Sequence, residues 1–283
     1  MSSPAKTDST IAETIIQPNR PLGFRDFIEA WSYRSLLWSM TVRLVRTELA
    51  DLHLGVIWMV ARPLLMLAVF TMWRQLSGAN MGVSIEYPVY LYSGLIMWFF
   101  FANAVQKTAG AVRRDAGLIR KVYFPRVLSP LSSTFSQFYG FAISMVPLVG
   151  LMIWFGTVPD WKLLLLPVLL FQCALLIFGL GCLFAALTVN SNDWDRALSL
   201  ALYIGLFVSP VIFSPALLEE SRGWWIYHLN PMSGTLLAFR ATLSGEMVFP
   251  VWEWVYSCGF SIVAVLVGFY MFQRLERALL DRI

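Results

Sequence analysis

Residues 88–106 read PVYLYSGLIMWFFFANAVQ, an apolar run with Trp98, Phe99, Phe100 and Phe101 together inside it. Its length matches the roughly 20 residues that carry a helix across the hydrocarbon core of a bilayer. Directly after it, residues 107–126 gather Lys107, Arg113, Arg114, Arg120, Lys121 and Arg126, and a second apolar run starts at Val127. Loops rich in Lys and Arg stay on the cytoplasmic side of a membrane. This stretch therefore fixes an orientation and allows only an integral membrane fold. Composition agrees: 13% of residues are charged, against roughly 25% in soluble domains. A chain of 283 residues holds about six such spans and little else.

The rest of the chain fits an all-α membrane protein of six spans. Residues 1–23 are polar, contain proline and lack an apolar core or cleavage site, which predicts a disordered cytoplasmic tail rather than a secretory signal. Residues 24–52 predict an amphipathic helix. Phe24, Trp31, Trp38, Val42, Val45 and Leu49 fall on one side, and Arg25, Glu29, Arg43, Thr47 and Asp51 on the other. Such a helix suits the membrane surface or a protein partner. Predicted spans follow at 55–76, 88–106, 127–155, 163–189, 197–213 and 251–272. The third is long enough to tilt or to break near Pro147. Between the last two, residues 214–250 mix Pro, Gly and charges with apolar pieces too short to cross. They predict two short re-entrant or interfacial helices, 215–227 and 232–243, on the outer side.

The charges test this layout. Sixteen of the 21 Lys and Arg fall in segments it places inside, and three (Lys162, Arg222 and Arg240) in segments it places outside. Arg62 and Arg74 lie within the first span, Arg62 close enough to the inner end to snorkel. Both termini are thereby expected in the cytoplasm. The basic residues gather at loop ends rather than on a domain face, so the net charge of +4 reads as topology and membrane lipid, with no nucleic acid.

Several chemistries are disfavoured. None of the 17 Asp and Glu lies mid-span, whereas ion-coupled transporters usually hold the ion on an intramembrane acid. His53 and His228 sit in no metal or nucleophile motif, and Cys173, Cys182 and Cys258 are well separated within apolar runs, so no metal site or disulfide framework is expected. No G-x-x-x-x-G-K-[ST] loop occurs; if ATP drives this protein, another polypeptide binds it. The positive signal is aromatic. Tyr90, Tyr92 and 98–101 form a cluster denser than an interfacial belt requires, and aromatic faces suit the C–H faces of sugars.

The segments YLYSGLIMWFFFANAV (90–105), LIRKVYFPRVLSPL (118–131) and YHLNPMSGTLLAFRATL (227–243) resemble the membrane subunit of bacterial ATP-binding-cassette exporters of polysaccharides. These are the O-antigen, capsule and teichoic acid permeases. The run LHLGVIWMVARPLLMLAVFT (52–71) is similar to that family's first span, and the resemblance covers about residues 24–280. It implies a multi-pass protein of the bacterial inner membrane that is not itself an enzyme. It further implies a homodimer joined by two copies of a separate ATPase, which binds ATP and Mg, moving a lipid-linked glycan. A cytoplasmic coupling helix would fall near 108–117, making Lys107, Arg113, Arg114, Asp115, Arg120 and Lys121 the candidate ATPase contacts; inward topology explains the same charges. Tyr92, Trp98, Phe99, Phe100, Tyr203 and Phe207 are the candidate substrate path, with Trp224 and Trp225 closing its outer end. In the turn after the fourth span the family often carries an Arg-Asp pair, where this chain has NSNDWDR. The alternatives are an exporter of drugs or lipids on the same scaffold, a membrane enzyme acting on lipid-linked sugars, and an ion-coupled transporter.

Overall fold

A computed structural model describes residues 31–50, 55–119, 121, 124–188, 191–217 and 224–280, and these are helical apart from turns and short connections. The expected N-terminal tail, the start of the amphipathic segment and Arg120 lie outside the described residues. Five stretches are long and apolar enough to cross a membrane: Ile57–Ser77, Tyr87–Ala109, Leu128–Phe155, Trp161–Thr188 and Val251–Arg274.

Helix α1 (Arg34–Ala50) carries two apolar stripes. Met40 and Leu44 are buried, and Tyr33, Leu36 and Leu37 pack against the cluster that Met40 forms with residues that include Val127 and Leu128. Trp38, on the stripe singled out in the sequence, is 70% exposed. The protein contact is thus made by the neighbouring stripe, at i, i+3, i+4 and i+7 spacing.

The centre of the fold is α3 (Tyr87–Ala109). Its sequence is apolar on every side, the pattern of a helix surrounded by others, and most of its residues are buried. Around it stand α2 (Gly55–Ser77), α7 (Phe138–Phe155), α8 (Leu166–Thr188) and α9 (Asp193–Val208). Two short helices follow α3 in the basic segment: α4 (Ala111–Arg114) and α5 (Ala116–Ile119).

Two breaks differ from expectation. The third apolar run is interrupted at Gln137, which separates α6 (Leu128–Ser136) from α7, while Pro147 lies inside an unbroken α7. The hydroxyls of Ser132, Thr134 and Ser136 donate to the carbonyls of Ser129, Pro130 and Ser133. Such back-bonding competes with the helix ladder and bends it. The second break ends α9 at Val208, five residues short of the predicted 213, because Ser209 turns extended ahead of Pro210. A residue preceding proline is pushed out of helical geometry. At 16 residues, α9 is shorter than a spanning helix needs.

The segment expected on the outer side includes a short 3₁₀ turn at Pro215–Leu217, α10 (Trp224–Leu229) and α11 (Pro231–Leu243). The middle of the helix predicted over 215–227 lies outside the described residues, whereas the one over 232–243 is present within a residue. The Asn230 side chain caps α11 by accepting from the Met232 N–H at 3.0 Å, and α11 is buried along almost its whole length. The last helix, α12 (Val251–Leu280), runs beyond the predicted span.

Helices α8 and α12 cross at glycine. A methyl group on Gly268 would overlap the carbonyl of Gly179, and one on Gly179 would lie 2.5 Å from the backbone of Ala264. Without a hydrophobic drive between helices in lipid, such close backbone packing supplies the attraction. Nearby, Gln172 of α8 donates to Ser261 at 2.8 Å and accepts from Thr235 of α11 at 3.0 Å, tying the three helices together. Gly268→Ala is expected to cost about 1–3 kcal/mol by overpacking. Thermal melting in detergent checks it, with Gly259→Ala, whose site is open, unchanged.

Candidate functional site

The aromatic residues expected on one path divide between two places. Tyr92, Trp98, Phe99 and Phe100 lie on α3 and are buried within the chain. The Tyr92 hydroxyl donates to the Ser144 carbonyl at 3.3 Å, and the Phe100 ring meets those of Phe138 and Phe141 at 5.1 and 4.9 Å. Phe99 lies beneath the Arg62 guanidinium, 4.3 Å from ring to charge. Of the four, Phe99 and Phe100 reach a groove of about 270 Å³ between α2, α3 and α7. Tyr203 and Phe207 are on α9 and point outward, 60% and 44% exposed, their rings edge to face at 5.8 Å. With Leu200, Ile204 and Val208 they make a continuous exposed stripe along that helix. Trp225 is half exposed on α10; the Trp224 side chain lies outside the described residues.

Trp98 and the outward stripe touch opposite sides of α9. A methyl group on Gly205 would lie 2.8 Å from the Trp98 ring, so this glycine lets α9 seat directly on the indole. Leu198 and Leu206 are buried on the same inner side, and the side chain of Gln106 donates to Ser199 at 2.7 Å.

The charged residues of the inner segment are engaged with the chain's own groups. Lys107 is 2.6 Å from Glu48 of α1, and Glu48 also accepts from Gln137 at 3.2 Å and from the Tyr139 hydroxyl at 2.7 Å. Asp115 is buried, with Arg43 of α1 at 3.4 Å and Arg114 at 3.5 Å. Arg113 donates to the Asn192 side chain at 2.7 Å and pairs with Asp195 at 3.4 Å. Lys121 is exposed in a turn. The segment thus binds α1 on one side and the base of α9 on the other.

Arg240, one of the three cations that the sequence places on the outer side, is fully buried. Its guanidinium donates to three carbonyls, those of Tyr90 (3.1 Å), Pro210 and Val211 (2.9 Å), and lies 3.5 Å over the Tyr90 ring. Gly94 has no room for a side chain because Arg240 fills that space. The Tyr90 hydroxyl donates to the Phe213 carbonyl at 3.0 Å. The signal was in the sequence, since Arg240 is the lone charge in the otherwise uncharged α11.

Comparison with known proteins follows this geometry. Residues 35–244 match the ABC-2 type transporter family. The chain belongs to that family. It is 25% identical over 247 residues to an O-antigen export system permease protein RfbA of Klebsiella pneumoniae, covering 85% of this chain and 92% of the relative. To the protein of that name in Myxococcus xanthus it is 26% identical over 215 residues, 75% of this chain and 82% of the relative. A polysialic acid transport protein KpsM of Escherichia coli is 25% identical over 268 residues, covering 86% and 94%.

This ABC-2 family chain is a multi-pass membrane protein, and its NSNDWDR turn acquires a structural meaning. Asp195 of that stretch engages Arg113, while the neighbouring Arg196 pairs with Asp193, at 3.7 Å on the exposed surface. Arg240→Ala would leave the Val211 carbonyl without its arginine donor and take one donor each from the carbonyls of Tyr90 and Pro210, which keep the hydroxyls of Ser93 and Tyr90. The expected cost is about 1–3 kcal/mol, read as a fall in folded yield and melting temperature. Arg240→Lys is expected to recover only a minor part, because an ammonium lacks the planar fork that spans three acceptors.

Proposed function

We propose that this chain is the permease subunit of an ATP-driven exporter that passes a lipid-linked polysaccharide across the bacterial inner membrane. The observation that carries the reading is similarity along most of the chain to permeases named for O-antigen export and polysialic acid transport. In this reading two copies of the chain form the path, and two copies of a separate ATPase bind ATP and Mg and supply the energy.

A further crossing, between those of α8 and α12, is made by α9 together with the non-helical residues 209–213 that follow it, of which 209–212 are buried. Non-helical backbone is tolerated at membrane depth where protein covers it, and Arg240 and Tyr90 cover these carbonyls. Both termini are then cytoplasmic, consistent with the bias of Lys and Arg toward the inner segments. The short outer helices α10 and α11 re-enter from the outer side.

Tyr203 and Phe207 are the residues best placed to meet the polymer, because they are exposed on a helix whose opposite side is packed. Each ring offers an apolar face to sugar C–H groups, and the tyrosine adds a hydroxyl. Contacts of this kind are weak and nearly independent of register, so a chain of sugars slides over them. A ligand held equally in both conformations drives no change, and the direction of movement comes from ATP turnover in the partner. The inner segment, through Lys107, Arg114 and Lys121, is the docking edge for that ATPase, while Arg113 faces the base of α9.

Affinity purification of the tagged chain from its native membrane is expected to retain a second polypeptide with a phosphate-binding loop. Reconstituted in vesicles, the pair should transfer a lipid-linked glycan only with ATP. Tyr203→Ala with Phe207→Ala is expected to slow transfer by about fivefold or more, from roughly 0.5–1.5 kcal/mol per aromatic contact. Purification of the chain with no ATPase would refute the reading.

A further inference from the structure

The geometry points to Arg113 as the positioning residue through which the inner segment moves α9. This rests on the exporter reading above and deepens it, by naming the joint between the ATPase-facing segment and the helix that carries Tyr203 and Phe207.

Arg113 lies in the single turn of α4, on the inner segment, and reaches across to the start of α9. One terminal nitrogen donates to Asn192 at 2.7 Å and the other lies 3.4 Å from Asp195. A planar guanidinium can hold two acceptors in a fixed mutual geometry, so a shift or rotation of α4 is passed to the helix base. A single ammonium would transmit far less orientation. The second tie, from Gln106 at the lower end of α3 to Ser199, lies one turn further along α9 on the same side.

Helix α9 is built to respond. Its inner side makes a narrow contact through Leu198, Gly205 and Leu206, with Gly205 resting on Trp98. Its other side is exposed from Leu200 to Val208. Beyond its outer end the chain is fixed, because Arg240 grips the carbonyls of Pro210 and Val211. A short rigid helix held at the top, seated on a glycine and gripped at the bottom behaves as a lever. Phe207 lies twelve residues beyond Asp195, roughly 18 Å along the axis. A small displacement at Arg113 therefore swings the aromatic stripe, while the buried Asp115 keeps α1 and the inner segment together as one body.

The experiment uses the complete complex in vesicles and reads glycan moved per ATP hydrolysed. Arg113→Ala and Asp195→Ala are expected to retain the ATPase and to keep hydrolysing ATP. Each should move at least about fivefold less glycan per ATP, the lower end of typical coupling between sites. Arg113→Lys is expected to fall between wild type and Arg113→Ala. The exchange Arg113→Asp with Asp195→Arg should recover much of the loss, which a merely structural defect would not. Arg196→Ala, removing an exposed pair, should behave as wild type. Undiminished glycan per ATP in both single variants, or an exchange no better than either, would overturn the inference. So would loss of the ATPase from Arg113→Ala, which would make Arg113 a partner contact. A wild-type chain that retains no ATPase would instead refute the exporter reading itself.

Discussion

Pro210 stops a helix in a buried place, and the fold of the outer half depends on how the freed carbonyls are met. A buried carbonyl without a donor costs about 1–3 kcal/mol, and here the carbonyls of Pro210, Val211 and Phe213 lie close together. Arg240 and the Tyr90 hydroxyl supply the donors. The charge of Arg240 is in turn spread over three carbonyls and the Tyr90 ring, so neither side is left uncompensated. This knot joins α3, the end of α9 and α11. It explains why Gly94 must lack a side chain and why an arginine sits in a helix that otherwise carries no charge.

The remaining helices associate by closeness rather than by hydrophobic drive. Where α8 meets α12, glycines bring the backbones into contact, and the Gln172 amide links both to α11. Arg62 and Arg74 each lie over an aromatic ring of α3, at 4.3 Å from Phe99 and 4.7 Å from Tyr87. The first span, exposed along most of its length, is thus pinned to the central helix near both ends. Cation–π contacts of this sort contribute about 0.5–1 kcal/mol at exposed sites and more where water is excluded.

Around the basic segment the organising feature is charge. Glu48 and Asp115 each gather several partners from different helices, and Arg113 extends the cluster to α9. The arginines expected from the sequence to hold this segment inside therefore also fasten the neighbouring helices to one another. The two roles are compatible, since the first depends on which side a charge lies and the second on what it touches.

The sequence by itself determined the membrane class, five of the apolar crossings and the basic inner segment, because these follow from local composition over about 20 residues. It also held the burial of α3, an unbroken apolar circumference that signals a surrounded helix. The aromatic cluster on that helix was nevertheless assigned to a path, since composition does not distinguish packing from contact with a substrate. Only the tertiary structure decided that Trp98 supports α9 from within while Tyr203 and Phe207 face outward. It also decided that α1 packs with its second stripe, and that the third run breaks at Gln137 rather than at Pro147. The first two turn on which neighbour a side chain meets, and that is fixed by helices distant in the chain, whereas the break at Gln137 arises locally, where the Ser and Thr hydroxyls bond back to the helix carbonyls. Arg240 is the clearest case: its residue type was visible, but its acceptors lie 29, 30 and 150 positions away, and only folding brings them together.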